Sequence, residues 1–121
     1  HITTFGGHPV CCAAGLAALE YTLSEGLMEQ AESKGALYEK LLADHPLVRE
    51  IRRVGLLLAV EFRDAELTAR IVWDAVEAGL MTEWFMFHET AMRIAPPLTI
   101  TPSEIEESCA ILRKVMDQVK R

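Results

Sequence analysis

The sequence predicts an α+β fold: a small, mainly antiparallel sheet with helices packed on one face, preceded by a connecting helix. Three observations lead there. Four segments carry apolar residues at helical spacing, short apolar or alternating runs fall between them in pairs, and Gly or Pro stands at most of the junctions. The resulting order is helix, helix, strand, strand, helix, strand, strand, helix. No internal repeat and no Gly-Ser linker interrupts it. Helices on one face of a sheet bury the apolar sides of both.

The first helix is expected to start at Pro9, because proline at the first helical position loses no intrahelical bond. Val10 to Leu23 is rich in Ala and Leu, and its apolar residues lie on nearly every side. Such a helix is buried all round or pressed between domains. Gly26 punctuates its end. The second helix, about Leu27 to Ala43, has a dry stripe of Leu27, Met28, Ala31, Leu37, Tyr38, Leu41 and Leu42 and a wet face. Asp44-His45-Pro46 ends it, since the residue before proline is pushed out of the helical region.

Val48 to Arg53 alternates, and Leu56 to Phe62 is a short apolar run. A hairpin or bulge at Val54-Gly55 makes them antiparallel neighbours. Asp64 is a cap for a third helix carrying Leu67, Ile71, Val72, Ala75 and Val76, closed by Gly79. Leu80-Met81-Thr82 reads as a strand edge and Ala91 to Ala95 as a short returning strand that stops at Pro96-Pro97. Between them, Trp84-Phe85-Met86-Phe87 has no helical period. Sealing the sheet is the expectation for it, lining a pocket the alternative. Thr101-Pro102-Ser103-Glu104 is a capping box for a last helix with Ile105, Cys109, Leu112, Val115, Met116 and Val119 on one stripe.

The chain has 121 residues, half of them apolar and a quarter charged, which suits a globular domain. A net charge of −6 argues against nucleic acid or an anionic membrane as partner. No apolar run is long enough for a transmembrane helix. Cys11 and Cys12 point about 100° apart on a helix and converge on nothing. With Cys109 they make an odd count without framework spacing, which suits a reducing compartment, the cytoplasm. The four histidines give no ligand spacing, and His88-Glu89 fails as a zinc-protease motif because Met92 stands where the second histidine belongs. No metal site is expected.

The first nine residues concentrate chemistry: Thr3 and Thr4 supply hydroxyls, Gly6 and Gly7 free the backbone, and Pro9 opens a helix. That is the composition of an anion site at a helix N-terminus. On the residues alone, a plain Gly-Gly turn is the favoured reading.

Two motifs add to this. Thr3-Thr4-Phe5-Gly6-Gly7-His8-Pro9 leads into an Ala-rich helix, and Arg93-Ile94-Ala95-Pro96-Pro97-Leu98-Thr99-Ile100-Thr101 follows in order. Together with Val54 to Phe62 they resemble the C-terminal portion of class-III aminotransferases, pyridoxal-phosphate enzymes of fold type I. The resemblance spans nearly the whole chain. It departs at His8, where the family usually has Asn, and at Arg53, where it often has Gly.

The resemblance implies that residues 1–25 are the end of the large domain and its connecting helix, and that 26–121 are the C-terminal small domain. It implies a homodimer in which Thr4, with Thr3 as runner-up, contacts the phosphate of pyridoxal 5'-phosphate bound by the neighbouring subunit. Charge-assisted bonds to a phosphate are stronger than neutral ones. The structural alternative is a loop threonine capping the next helix. The resemblance assigns Arg93 to the carboxylate of an amino-acid or 2-oxo-acid substrate, and a guanidinium fork matches a carboxylate bidentately. The alternative is an arginine at a strand end, paired with Glu61 or Glu89 or solvated.

Amino transfer also needs a lysine that forms the Schiff base with the cofactor and moves the proton at Cα. The family places it, and the acidic partner of the pyridine nitrogen, upstream of the Thr-Gly-Gly motif. Lys34, Lys40, Lys114 and Lys120 read as solvated helix residues. The chain starts inside a motif, so a fragment of a longer protein, inactive alone and holding no catalytic residue, is the expectation. A non-catalytic α+β ligand-binding or dimerisation module is the competing one.

Overall fold

A computed structural model describes residues 3–119. Its elements follow the expected order: α1 (Pro9–Ser24), α2 (Leu27–Leu42), β1 (Glu50–Val54), β2 (Leu57–Glu61), α3 (Ala65–Glu77), β3 (Glu83–Phe85), β4 (His88–Ile94) and α4 (Pro102–Val119). The four strands form one sheet in the order β1-β2-β4-β3, with every neighbouring pair antiparallel.

Local chemistry accounts for most boundaries. Gly26 takes a left-handed φ of 58° between α1 and α2. The β1–β2 hairpin pairs Val54 with Leu57 across a two-residue loop, and only its first residue, Gly55, has positive φ. Glycine at the first loop position is what a type II′ turn asks for. Asp64 accepts the Leu67 N–H at 2.8 Å and starts α3. The capping box of α4 is closed both ways: Thr101 N–H donates to Glu104 at 2.7 Å, and Glu104 N–H donates to the Thr101 hydroxyl at 3.3 Å.

The core lies between one sheet face and α2, α3 and α4. Leu58 and Val60 of β2 and Met92 and Ile94 of β4 meet Ile71 and Ala75 of α3, Ile105, Leu112 and Met116 of α4, and Tyr38 and Leu42 of α2. The Tyr38 hydroxyl is satisfied inside by Ser108 at 3.0 Å. Arg53, the departure noted above, donates to Glu39 and Glu32 at 2.7 Å each and so ties β1 to α2. At the same junction Gly35 packs against the Gly55 carbonyl, in space that a Cβ would occupy.

Several expectations are corrected. Residues 80–82 are not a strand; β3 starts at Glu83, and β4 starts at His88 rather than Ala91. The aromatic run divides: Trp84 meets Trp73 edge-on, with ring centroids 6.3 Å apart, while Met86 and Phe87 stand exposed at the hairpin tip. Lys34 is buried, not solvated, because its aliphatic stem is covered and its ammonium donates to the Leu98 carbonyl at 2.7 Å. Lys40 and Lys114 are exposed, and Lys120 lies outside the described residues. α1 has no buried residue within this chain, so burial all round is not realised, and its apolar side chains face outward around the helix.

Candidate functional site around Arg93 and the Thr3–Gly7 turn

Residues 3–7 form a tight turn. Gly6 N–H donates to the Thr3 carbonyl at 3.4 Å, and His8 N–H donates to the Phe5 carbonyl at 3.1 Å. Gly7 has a φ of 78°, where L residues are disfavoured. A Cβ on Gly6 would run into the Thr3 hydroxyl. Gly7 is therefore required by the turn's backbone, while a side chain at Gly6 would force the Thr3 hydroxyl to turn away. His8 is the N-cap of α1 but makes no side-chain cap hydrogen bond, and Pro9 follows. The alternative of a capping threonine is thus not realised. Thr3 and Thr4 are exposed beside a helix start that has no side-chain cap, and such a start offers backbone donors to an anion.

Arg93 sits on the sheet face away from the helices. The register sets Arg52, Ala59, Arg93 and Glu83 side by side, one from each strand. Arg93 is exposed although Met92 and Ile94 flank it, because strand alternation sends those two into the core and Arg93 to the open face. Its ion-pair partner is Glu83, not Glu61 or Glu89. Thr82 fixes the strand pair here, its hydroxyl donating to the Arg93 carbonyl at 2.6 Å. Arg93 borders a cavity of about 560 Å³ whose walls include Arg52, Ala59, Glu83, Phe85 and Phe87. It also borders a second of about 390 Å³ with Tyr38, Thr82 and Pro96-Pro97. The pocket alternative for the aromatic run is therefore realised in part.

Next in the row is a polar cluster that sequence reasoning missed. Glu61 accepts the Thr90 hydroxyl at 2.5 Å and Arg52 at 2.8 Å, and lies 2.7 Å from His88 Nε2. Burial alone would raise the Glu61 carboxyl, but the hydrogen bonds from Thr90, Arg52 and His88 outweigh it and hold it at about 2. Arg52 also donates to Glu50 at 2.7 Å. Arg52 therefore serves two carboxylates, whereas Glu83 is the carboxylate recorded on Arg93. The only sequence signal for these pairings was strand alternation, and it becomes informative once the hairpin register is known.

The structure does not bring Thr4 and Arg93 together: the cavities bordered by Arg93 have no wall from the Thr3–Gly7 turn. Among the described residues no cluster of His, Cys, Asp and Glu could hold a metal ion. Nor is any helix among them long and apolar enough to cross a membrane.

Comparison with known proteins adds the context of this geometry. The chain is 36% identical over 124 residues to an acetylornithine aminotransferase from Caldanaerobacter subterraneus subsp. tengcongensis, covering 99% of this chain and 31% of that protein. It is 36% identical over 127 residues to a putrescine aminotransferase from Pectobacterium atrosepticum, covering 100% of this chain and 26% of that protein. The crystal structure of acetylornithine aminotransferase from Elizabethkingia anophelis superposes with a TM-score of 0.84 at 33% identity, over 98% of this chain and 32% of that one. The chain thus spans less than a third of the relatives it matches. The family described as "Aminotransferase class-III" matches residues 1–116. With both motifs inside that match, the chain belongs to the class-III aminotransferases.

Proposed function

We propose that these residues work as the C-terminal part of a pyridoxal-phosphate-dependent transaminase that moves an amino group between an amino acid or amine and a 2-oxo acid. The family match over residues 1–116 carries this reading. Residues 1–25 are proposed as the end of the large domain with its connecting helix, and 26–121 as the small domain. The outward apolar surface of α1 supports that division, since such a helix needs a cover.

The exposed hydroxyls, the glycine turn and the uncapped start of α1 fit a phosphate. Thr4 is assigned to that phosphate, with Thr3 as the second donor, in a cytoplasmic homodimer where the turn serves the neighbouring subunit. Its separation from the Arg93 cavities within one chain agrees with that division of labour. Pyridoxal phosphate, when bound, supplies the electron sink for the bond changes at the amine-bearing carbon. Arg93 binds and orients the substrate carboxylate through its fork. The lysine that holds the cofactor is placed upstream. In support, Lys34 is committed to the Leu98 carbonyl, and Lys40 and Lys114 are exposed on helices. This stretch alone is then inactive.

The test is amino transfer by the full-length protein from an amino donor to a 2-oxo acid, followed as new amino-acid product. Loss of product on removing the cofactor, and recovery on adding it back, is expected. Absence of product with every donor class overturns the reading.

A further inference from the structure

We propose that the cavity between α3 and the β3–β4 hairpin is a binding site for a small organic cation of the methylated-ammonium class, held by Trp84, Glu66 and Glu89. The cavity measures about 310 Å³, and its walls are Ala65, Glu66 and Ala69 of α3, Trp84 of β3 and Glu89 of β4. It shares only Trp84 with the cavity of about 560 Å³ and no wall with that of about 390 Å³.

Ala65, Ala69 and Trp73 follow one another at four-residue spacing and so lie on one face of α3. Trp73 meets Trp84 with ring centroids 6.3 Å apart. One and two turns earlier the helix carries only methyl groups, which leaves Trp84 bordering the cavity there. The indole attracts a cation more strongly than the other aromatic rings do. On β4, His88 and Thr90 turn to Glu61, while Glu89 between them borders the cavity.

The charge around the cavity has one sign. Among the described residues neither Glu66 nor Glu89 makes an ion pair. Their cationic neighbours along the chain are engaged elsewhere: Arg63 with Asp64 at 2.6 Å, Arg70 with Asp74 at 3.9 Å and His88 with Glu61 at 2.7 Å. The positive end of α3 is offset as well, since Asp64 caps it and Glu66 stands in its first turn.

The same walls select the kind of cation. A primary ammonium has three N–H donors to satisfy, and the alanine methyls and the indole offer it no acceptor. A methylated ammonium needs no hydrogen bond. Its methyl groups pack on Ala65, Ala69 and Trp84 while Glu66 and Glu89 balance its charge.

The test is titration of the full-length protein with choline chloride at constant chloride concentration, followed by saturation-transfer NMR of the methyl protons. Saturable binding with a dissociation constant on the order of millimolar is expected for one aromatic contact and two exposed carboxylates. The neutral isostere 3,3-dimethylbutan-1-ol should bind at least about fivefold more weakly. The double variant Glu66→Gln, Glu89→Gln should weaken choline about tenfold with an unchanged thermal midpoint, and Trp84→Leu about two- to fivefold. Glu83→Gln, which alters only the neighbouring cavity, should leave the affinity as it is. No saturable binding, equal binding of the neutral isostere, undiminished binding by the double variant, or loss of binding in Glu83→Gln each overturns the proposal. The double variant decides the matter should Trp84→Leu fail to fold.

Discussion

The ammonium of Lys34 donates to the carbonyl of Leu98 at 2.7 Å, joining α2 to the Pro96-Pro97-Leu98 segment that leaves the Arg93 strand. Lys34→Met keeps the covered stem and removes the donor. The expected cost is about 1 kcal/mol, as for one hydrogen bond at a part-buried carbonyl. Urea denaturation of wild type and variant measures it, and equal midpoints would show that the bond contributes nothing.

Glu61 links acid stability to the open face of the sheet. Its carboxyl lies at about 2 in the fold against an ordinary 4.5. A depressed value means that the fold prefers the ionised form. The stabilisation is thus complete above about pH 4.5 and is lost as pH falls through 2. Glu61→Gln should lower stability at neutral pH and flatten its decline in that window. A decline as steep in the variant as in wild type would assign acid sensitivity to other carboxylates.

Thr4→Ala in the full-length protein should weaken retention of pyridoxal phosphate by about tenfold, the value of one charge-assisted hydrogen bond, without altering the unfolding transition of the apo form. Dialysis followed by cofactor absorbance reads the first and circular dichroism the second. Thr3→Ala should do the same to a smaller extent. Cofactor affinity unchanged in both variants would remove the turn from the site.

Arg93→Lys replaces a planar fork by a point charge. The KM for the 2-oxo acid should rise by roughly five- to tenfold, while uncharged amine donors, which leave the subsite empty, keep theirs. Equal kinetics for both substrates would return Arg93 to a purely structural pairing with Glu83.

Much of the fold was readable in advance because its signals are local. Asp64 and the Thr101–Glu104 box start α3 and α4 where they stand in the chain. Gly55 lies in the hairpin it was expected to make, and the order of all eight elements follows from apolar spacing. The β3–β4 hairpin was legible only in outline, since Trp84 to Phe87 has no clear period and its register shifts between Trp84 and Phe85. The burial of Lys34 is not legible in the sequence, because a position on a helix does not reveal a carbonyl 64 residues away.

The sequence by itself determined the family, the α+β class, the helix starts and the two motifs bearing Thr4 and Arg93, all of which depend on residues close together along the chain. Tertiary structure alone decided who meets whom. Pairing β2 with β1 and β4, and β4 with β3, put Arg93 beside Ala59 and Glu83 on the open face and gathered Arg52, His88 and Thr90 on Glu61. Those outcomes depend on strand register, and a shift of one residue would send every side chain to the opposite face.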